Sequence, residues 1–116
     1  MSGQYKTVFH LASGDHAVHK ALIRQVHNLL EAIPDVSVEI VTHGEGISLL
    51  LTDSPYTSIL RELHDKGVRL LICKNTLKQK NIPEESLPGH TEIVPAAIAH
   101  LIVRQHEGWS YIKAGF

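Results

Sequence analysis

The stretch Gly67-Val68-Arg69-Leu70-Leu71-Ile72-Cys73-Lys74-Asn75-Thr76-Leu77 decides how the chain is read. Between Val68 and Cys73 only Arg69 is polar, the pattern of a central strand covered on both faces of a parallel sheet. Gly67 supplies the left-handed exit of a preceding helix. Beyond the strand, Asn75 or Thr76 is placed to cap a short helix running through Lys80.

Upstream, Tyr56, Ile59, Leu60 and Leu63 form the apolar stripe of a helix opened by Ser54-Pro55. Residues 36–43 alternate and are β-branched, so they read as a strand. Gly44-Glu45-Gly46 breaks it, and residues 47–51 make a short helical turn. The first strand spans residues 7–12. It is followed by the clearest helix, in which Val18, Leu22, Val26, Leu29 and Ile33 recur at helical spacing. Asp15 can accept from that helix's first N–H groups, and Pro34 stops it.

Downstream, residues 81–90 read as a loop and residues 91–94 as a fourth strand. Pro95 opens a helix expected to turn Ala97, Ile98, Leu101 and Ile102 inward. Gly108 ends that element, and residues 109–113 form the last strand, with Trp109 and Tyr111 expected to pack the sheet or a subunit contact. Strands alternating with helices of this length imply βαβ units, right-handed crossovers and helices on both faces of one sheet.

The composition sets the outer limits. The 116 residues, 43% hydrophobic and 20% charged, make one domain, spanning residues 1–116. A net charge of −1 argues against a nucleic-acid coat or a polybasic membrane binder. No apolar run approaches the ~20 residues of a membrane span. Met1-Ser2-Gly3-Gln4-Tyr5-Lys6 has no secretory pattern, so a cytoplasmic location is expected. The single cysteine excludes an intrachain disulfide and a multi-cysteine zinc site.

In open parallel sheets, reactive groups sit beyond the carboxyl ends of the strands. His10, His43 and Cys73 all fall there. A thiol just ahead of a helix N-terminus, with Lys74, Lys78 and Lys80 following, is placed to ionise. Cys73 reads equally as a small hydrophobe finishing a buried strand, and the lysines as a solvated helix face. Among the nine histidines, His16 and His19 could share a metal ion, with His10 or His43 as a third ligand. No His-Glu-x-x-His spacing supports a catalytic metal, so a solvent- or oligomer-facing stripe is the better reading and no metal or cofactor is assigned. His64, His90, His100 and His106 read as surface or helix-end positions.

Cys73-Lys74-Asn75-Thr76-Leu77 resembles the Cys-x-Asn-Thr-Leu segment of the DsrE/DsrF-like sulfur-relay family. Val41-Thr42-His43-Gly44-Glu45-Gly46 is similar to that family's strand and His-Gly-x-Gly turn, and Gln105-His106-Glu107-Gly108-Trp109-Ser110-Tyr111 to its terminal Gln-x-x-Gly-Trp-x-Tyr signature. The resemblance runs in order over essentially the whole chain. It implies a three-layer α/β/α fold with a mostly parallel five-stranded sheet, assembly into trimers or hexamers, and a cysteine that carries sulfane sulfur as a persulfide. Only Cys73 can take that role here.

The expected function is therefore a sulfur carrier of sulfurtransferase type, passing sulfur between donor and acceptor proteins. His43 and Gly44 would flank the site, Asn75 and Thr76 would stabilise the anion, and Lys78 would add charge. Two other functions stay open: a non-catalytic oligomeric binding module of the same fold, and a one-cysteine thiol peroxidase resolved by an external thiol.

Overall fold

The computed structural model describes residues 4–115, so Met1, Ser2 and Gly3 of the amino-terminal reading lie outside it. Strand β1 (Lys6–Leu11) leads into α1 (His16–Ala32), whose amide at Ala17 donates to the Asp15 carboxylate at 2.8 Å. Strand β2 (Ser37–Thr42) is followed by a 3₁₀ segment over Gly44–Leu50, then by α2 (Thr57–Asp65). Helix α2 starts two residues after Pro55, because Ser54 forms a turn of its own with the Tyr56 and Thr57 amides. Strand β3 (Arg69–Cys73) runs without a break into α3 (Lys74–Gln79). Strand β4 (Glu92–Val94), α4 (Ala97–His106) and β5 (Ser110–Lys113) complete the chain.

The five strands form one parallel sheet in the order β4-β3-β2-β1-β5. The chain steps outward from β1 to β4 and then returns through α4 to pair β5 with the other side of β1. Since parallel crossovers keep one hand, reversing direction transfers the helix to the opposite face. One face is therefore packed by α1, α2 and α3 through Phe9, Ile40, Leu70 and Ile72 against Leu22, Val26, Leu60 and Leu77. The other is packed by α4 alone, over Val8, Val41, Leu71, Cys73 and Val94.

A single helix cannot bury its whole apolar girth against a sheet. Ala97 and Leu101 go inward as expected, but Ile98 and Ile102 are 54% and 53% exposed, beside Val103. The inward assignment of those two isoleucines is thus corrected. At the other end of the same face lies Glu39, fully buried. Its carboxylate accepts from Arg69 Nη1 (2.7 Å), from Arg104 Nη2 (2.6 Å) and Nε (3.0 Å), and contacts His100 Nε2 (2.6 Å). His100 therefore belongs to a buried ion network that clamps α4 to the sheet, rather than to the surface. His90 is buried as well.

Among the described residues no helix is long and apolar enough to cross a membrane.

Candidate functional site at the carboxyl edge of the sheet

Cys73 is the last residue of β3 and the residue ahead of α3, so the short helix begins at Lys74 rather than after an Asn75 or Thr76 cap. Strand periodicity turns its side chain toward α4, into the apolar cluster that holds Leu71, its β4 partner Val94 and Ala97, and 5% of the residue stays exposed. The Ala97 amide, at the start of α4, donates to Sγ at 3.4 Å. Burial pushes the thiol pKa up; the amides of Ala97, Thr76 and Asn75 and the Thr76 hydroxyl push it down, and together they prevail. Cys73 makes no capping bond to its own helix, so the α3 groups act at longer range than Ala97.

The lysine run is not among the leading influences on the thiol. Lys74 and Lys80 are drawn away to Glu84 (3.8 Å) and Glu45 (2.6 Å), and Lys78 is exposed on α3. Thr76 connects the cysteine to the neighbouring turn, since its hydroxyl oxygen accepts from the Gly44 amide at 3.0 Å. Gly44 has φ +56, and a Cβ on Gly46 would lie 2.3 Å from the Leu11 carbonyl oxygen. Both glycines thus let the turn after β2 press against the end of β1.

That turn carries His43, still extended at φ −154, ψ 171. Thr42–Ile72 is the last β2–β3 pair, and the residues that follow it on the two segments, His43 and Cys73, share a face by strand alternation. Two strands along, His10 reaches His43 with an Nε2–Nε2 separation of 2.7 Å, the rings being inclined by 13°. The other His10 nitrogen, Nδ1, lies 2.7 Å from the Tyr111 hydroxyl of β5. His10 also borders a cavity of about 320 Å³, lined by Ala12, Ser13, Asp15, Lys113 and Ala114. This cavity opens between β1 and β5, where the strand order reverses, the place at which open α/β sheets bind ligands. Burial, His43 and Lys113 each lower the pKa of His10.

Cys73, His43, Gly44, Asn75 and Thr76 are therefore brought to one rim, while Lys78 stands outside their hydrogen bonds. His10 and Tyr111 belong to the same rim, and sequence reasoning missed their joint role. Their signal was register: only the β1–β5 pairing, which no local pattern reports, sets Tyr111 beside Val8 and Lys113 beside His10. The outward-facing histidine stripe is corrected at His19, which is buried. His19 Nε2 contacts the Ser13 carbonyl oxygen at 2.7 Å; a carbonyl only accepts, so that nitrogen carries a proton and offers no lone pair to a metal. Among the described residues no group of three potential ligands is arranged to hold a metal ion.

These features define an α/β domain with an all-parallel sheet and its polar side chains gathered at the carboxyl edge. The chain belongs to the DsrE/DsrF-like family, whose description matches residues 6–114, consistent with a fold of sulfur-relay type. It is similar to the protein of unknown function MTH1491 from Methanobacterium thermoautotrophicum, with 34% identity, 95% of this chain and 99% of that one covered, and a TM-score of 0.92. The YchN protein from E. coli shares the fold at 15% identity and a TM-score of 0.78, over 95% of this chain and 99% of its own. No curated protein matches.

Proposed function

We propose that the protein carries sulfane sulfur as a persulfide on Cys73 and passes it between protein thiols. The observation that supports this most directly is the Ala97 amide on Sγ, with the further donors on α3, which favour an anionic sulfur in spite of its burial. The thiolate attacks the outer sulfur of a donor persulfide, and the donor leaves as a thiolate. The new terminal sulfur is then held until an acceptor thiolate takes it. In this reading His43, on the turn that continues β2 past Thr42, exchanges protons with the sulfur that leaves or arrives, a role its extended backbone and the β2–β3 register support. Lys78, exposed and without an ion pair among the described residues, is available to an anionic partner.

The reading includes a cytoplasmic homo-oligomer, a trimer or hexamer. The exposed Ile98, Ile102 and Val103 of α4 support assembly, since a second copy would cover them.

A binding module with an inert cysteine is the second reading, favoured by the 5% exposure of Cys73. Incubation with a sulfane donor followed by intact mass separates the two. The relay requires a gain of one sulfur atom, lost in Cys73→Ser. Unchanged mass, with Cys73 slow toward a neutral alkylating reagent, supports the module. A gain of oxygen from dilute peroxide would instead indicate a one-cysteine peroxidase.

A further inference from the structure

We propose that Tyr111, His10 and His43 form a proton relay between solvent and the sulfur site, an inference that rests on the persulfide reading of Cys73. Strands β1 and β5 and the turn after β2 contribute the three side chains, all on the face that carries Cys73. Their contacts are a Tyr111 hydroxyl to His10 Nδ1 and a His10 Nε2 to His43 Nε2, each 2.7 Å.

The hydrogen-bond arithmetic is restrictive. One proton lies between the two Nε2 atoms, and each neutral imidazole carries one N–H. Two arrangements follow. In the first, the tyrosine donates to His10 Nδ1, His10 donates to His43 Nε2, and the proton of His43 is on Nδ1. In the second, His43 donates to His10 Nε2, His10 donates to the tyrosine oxygen, and His43 Nδ1 is a bare acceptor. Passing from one to the other moves one proton the length of the chain without moving a ring. Both ends are open. Tyr111 is 41% exposed, and His43 Nδ1 has no hydrogen bond among the described residues. A purely structural cluster has no need of two free ends.

The charges around His10 suit transfer rather than storage. Lys113 from β5 and His43 from the turn after β2 face it, and Asp15 lines the adjoining cavity from the start of α1. Burial and the first two groups lower its proton affinity, which favours the neutral His10 that both arrangements require.

The sulfur step needs such a path. The Cys73 thiolate and a donor persulfide, R–S–SH, give Cys73–S–SH and R–S⁻; one S–S bond forms and one breaks, with no oxidant or reductant consumed. The leaving thiolate then takes a proton from His43, and the new persulfide, the stronger acid, releases one. The relay restores His43 from solvent between these events. His10 and Tyr111 act through His43 and touch no substrate, so they are positioning residues.

The test measures the rate and extent of sulfur loading from a small-molecule persulfide donor, by quenched intact mass, over roughly pH 5.5 to 8.5, the range in which imidazoles titrate. Wild type is compared with Tyr111→Phe and His10→Ala, each checked for native circular dichroism. We expect the same final gain of one sulfur, a rate lower by about tenfold or more, and loss of the histidine limb of the pH profile. Added imidazole should restore His10→Ala, which a structural role would not allow. Variants that load at the wild-type rate and with the wild-type pH profile overturn the relay and leave the carrier reading intact. A wild-type protein that gains no sulfur overturns both.

Discussion

Glu39→Gln tests whether the buried ion network, and through it α4, protects the cysteine. Glutamine has the shape of glutamate, but one carboxylate oxygen becomes an NH₂. Either oxygen serves two donors: Oε1 faces His100 Nε2 and Arg104 Nε, and Oε2 faces Arg69 Nη1 and Arg104 Nη2. The substitution therefore loses at least two contacts and sets donor against donor. Hydrogen bonds to charged groups contribute about 1.5–3 kcal/mol each, which gives about 3–6 kcal/mol. The lower end applies, because Arg69 keeps Glu92 at 2.8 Å and Arg104 keeps Glu107 at 2.9 Å. A loss of about 3 kcal/mol also agrees with the cost of breaking a buried ion pair. With an unfolding entropy of roughly 2.1 cal/mol/K per residue, this lowers Tm by about 12 °C. The assay is urea unfolding followed by circular dichroism, with Cys73 alkylation measured well below the transition. Alkylation should accelerate, because His100 and Arg104 tie α4 to Glu39 and α4 covers the sulfur. Glu92→Gln, at a carboxylate 47% exposed, is the control and should cost under about 1 kcal/mol. A Glu39→Gln loss as small as the control's, with alkylation unchanged, would refute the idea that this network holds α4 in place.

Three further outcomes follow from the same geometry. Thr76→Val removes a hydroxyl that helps depress the thiol, so the pH profile of Cys73 alkylation should move upward by about half a unit to one unit, while Thr76→Ser leaves it in place. Gly46→Ala sets a Cβ 2.3 Å from the Leu11 carbonyl oxygen and should destabilise by about 2–3 kcal/mol in urea titrations, since backbone must shift on both sides. His10 and His90 both have folded pKa values below the ordinary 6.5, so the unfolded chain binds protons first on acidification. Stability from these two groups is complete above 6.5 and is lost as pH falls through their lowered values, which should appear as a declining urea midpoint from neutral pH toward pH 5.

Much of the rim could be read before any coordinates. Apart from Arg69, the run from Val68 to Cys73 is apolar because β3 has neighbours on both sides and helices on both faces, and its final residue must then lie at the carboxyl edge. The His43 turn was legible for a related reason, as two glycines in three residues signal a backbone that must pass close to another. The α4 face was misread because periodicity reports which residues share a side, not whether anything lies over it. Ile98 and Ile102 share spacing with Ala97 and Leu101 and differ only in what the sheet can reach.

Local chemistry, carried by neighbours in the chain, was thus determined by the sequence alone: five strands, the helices between them, Asp15 as a cap, and one cysteine at a strand end. Pairings between distant residues were decided by the tertiary structure. The return through α4 places β5 against β1 and makes Tyr111 a partner of His10, 101 positions away. The same crossover carries the Ala97 amide to Cys73 and closes Arg104 on Glu39. Strand order sets these contacts, and strand order depends on how the completed faces pack, a property that no window of sequence contains.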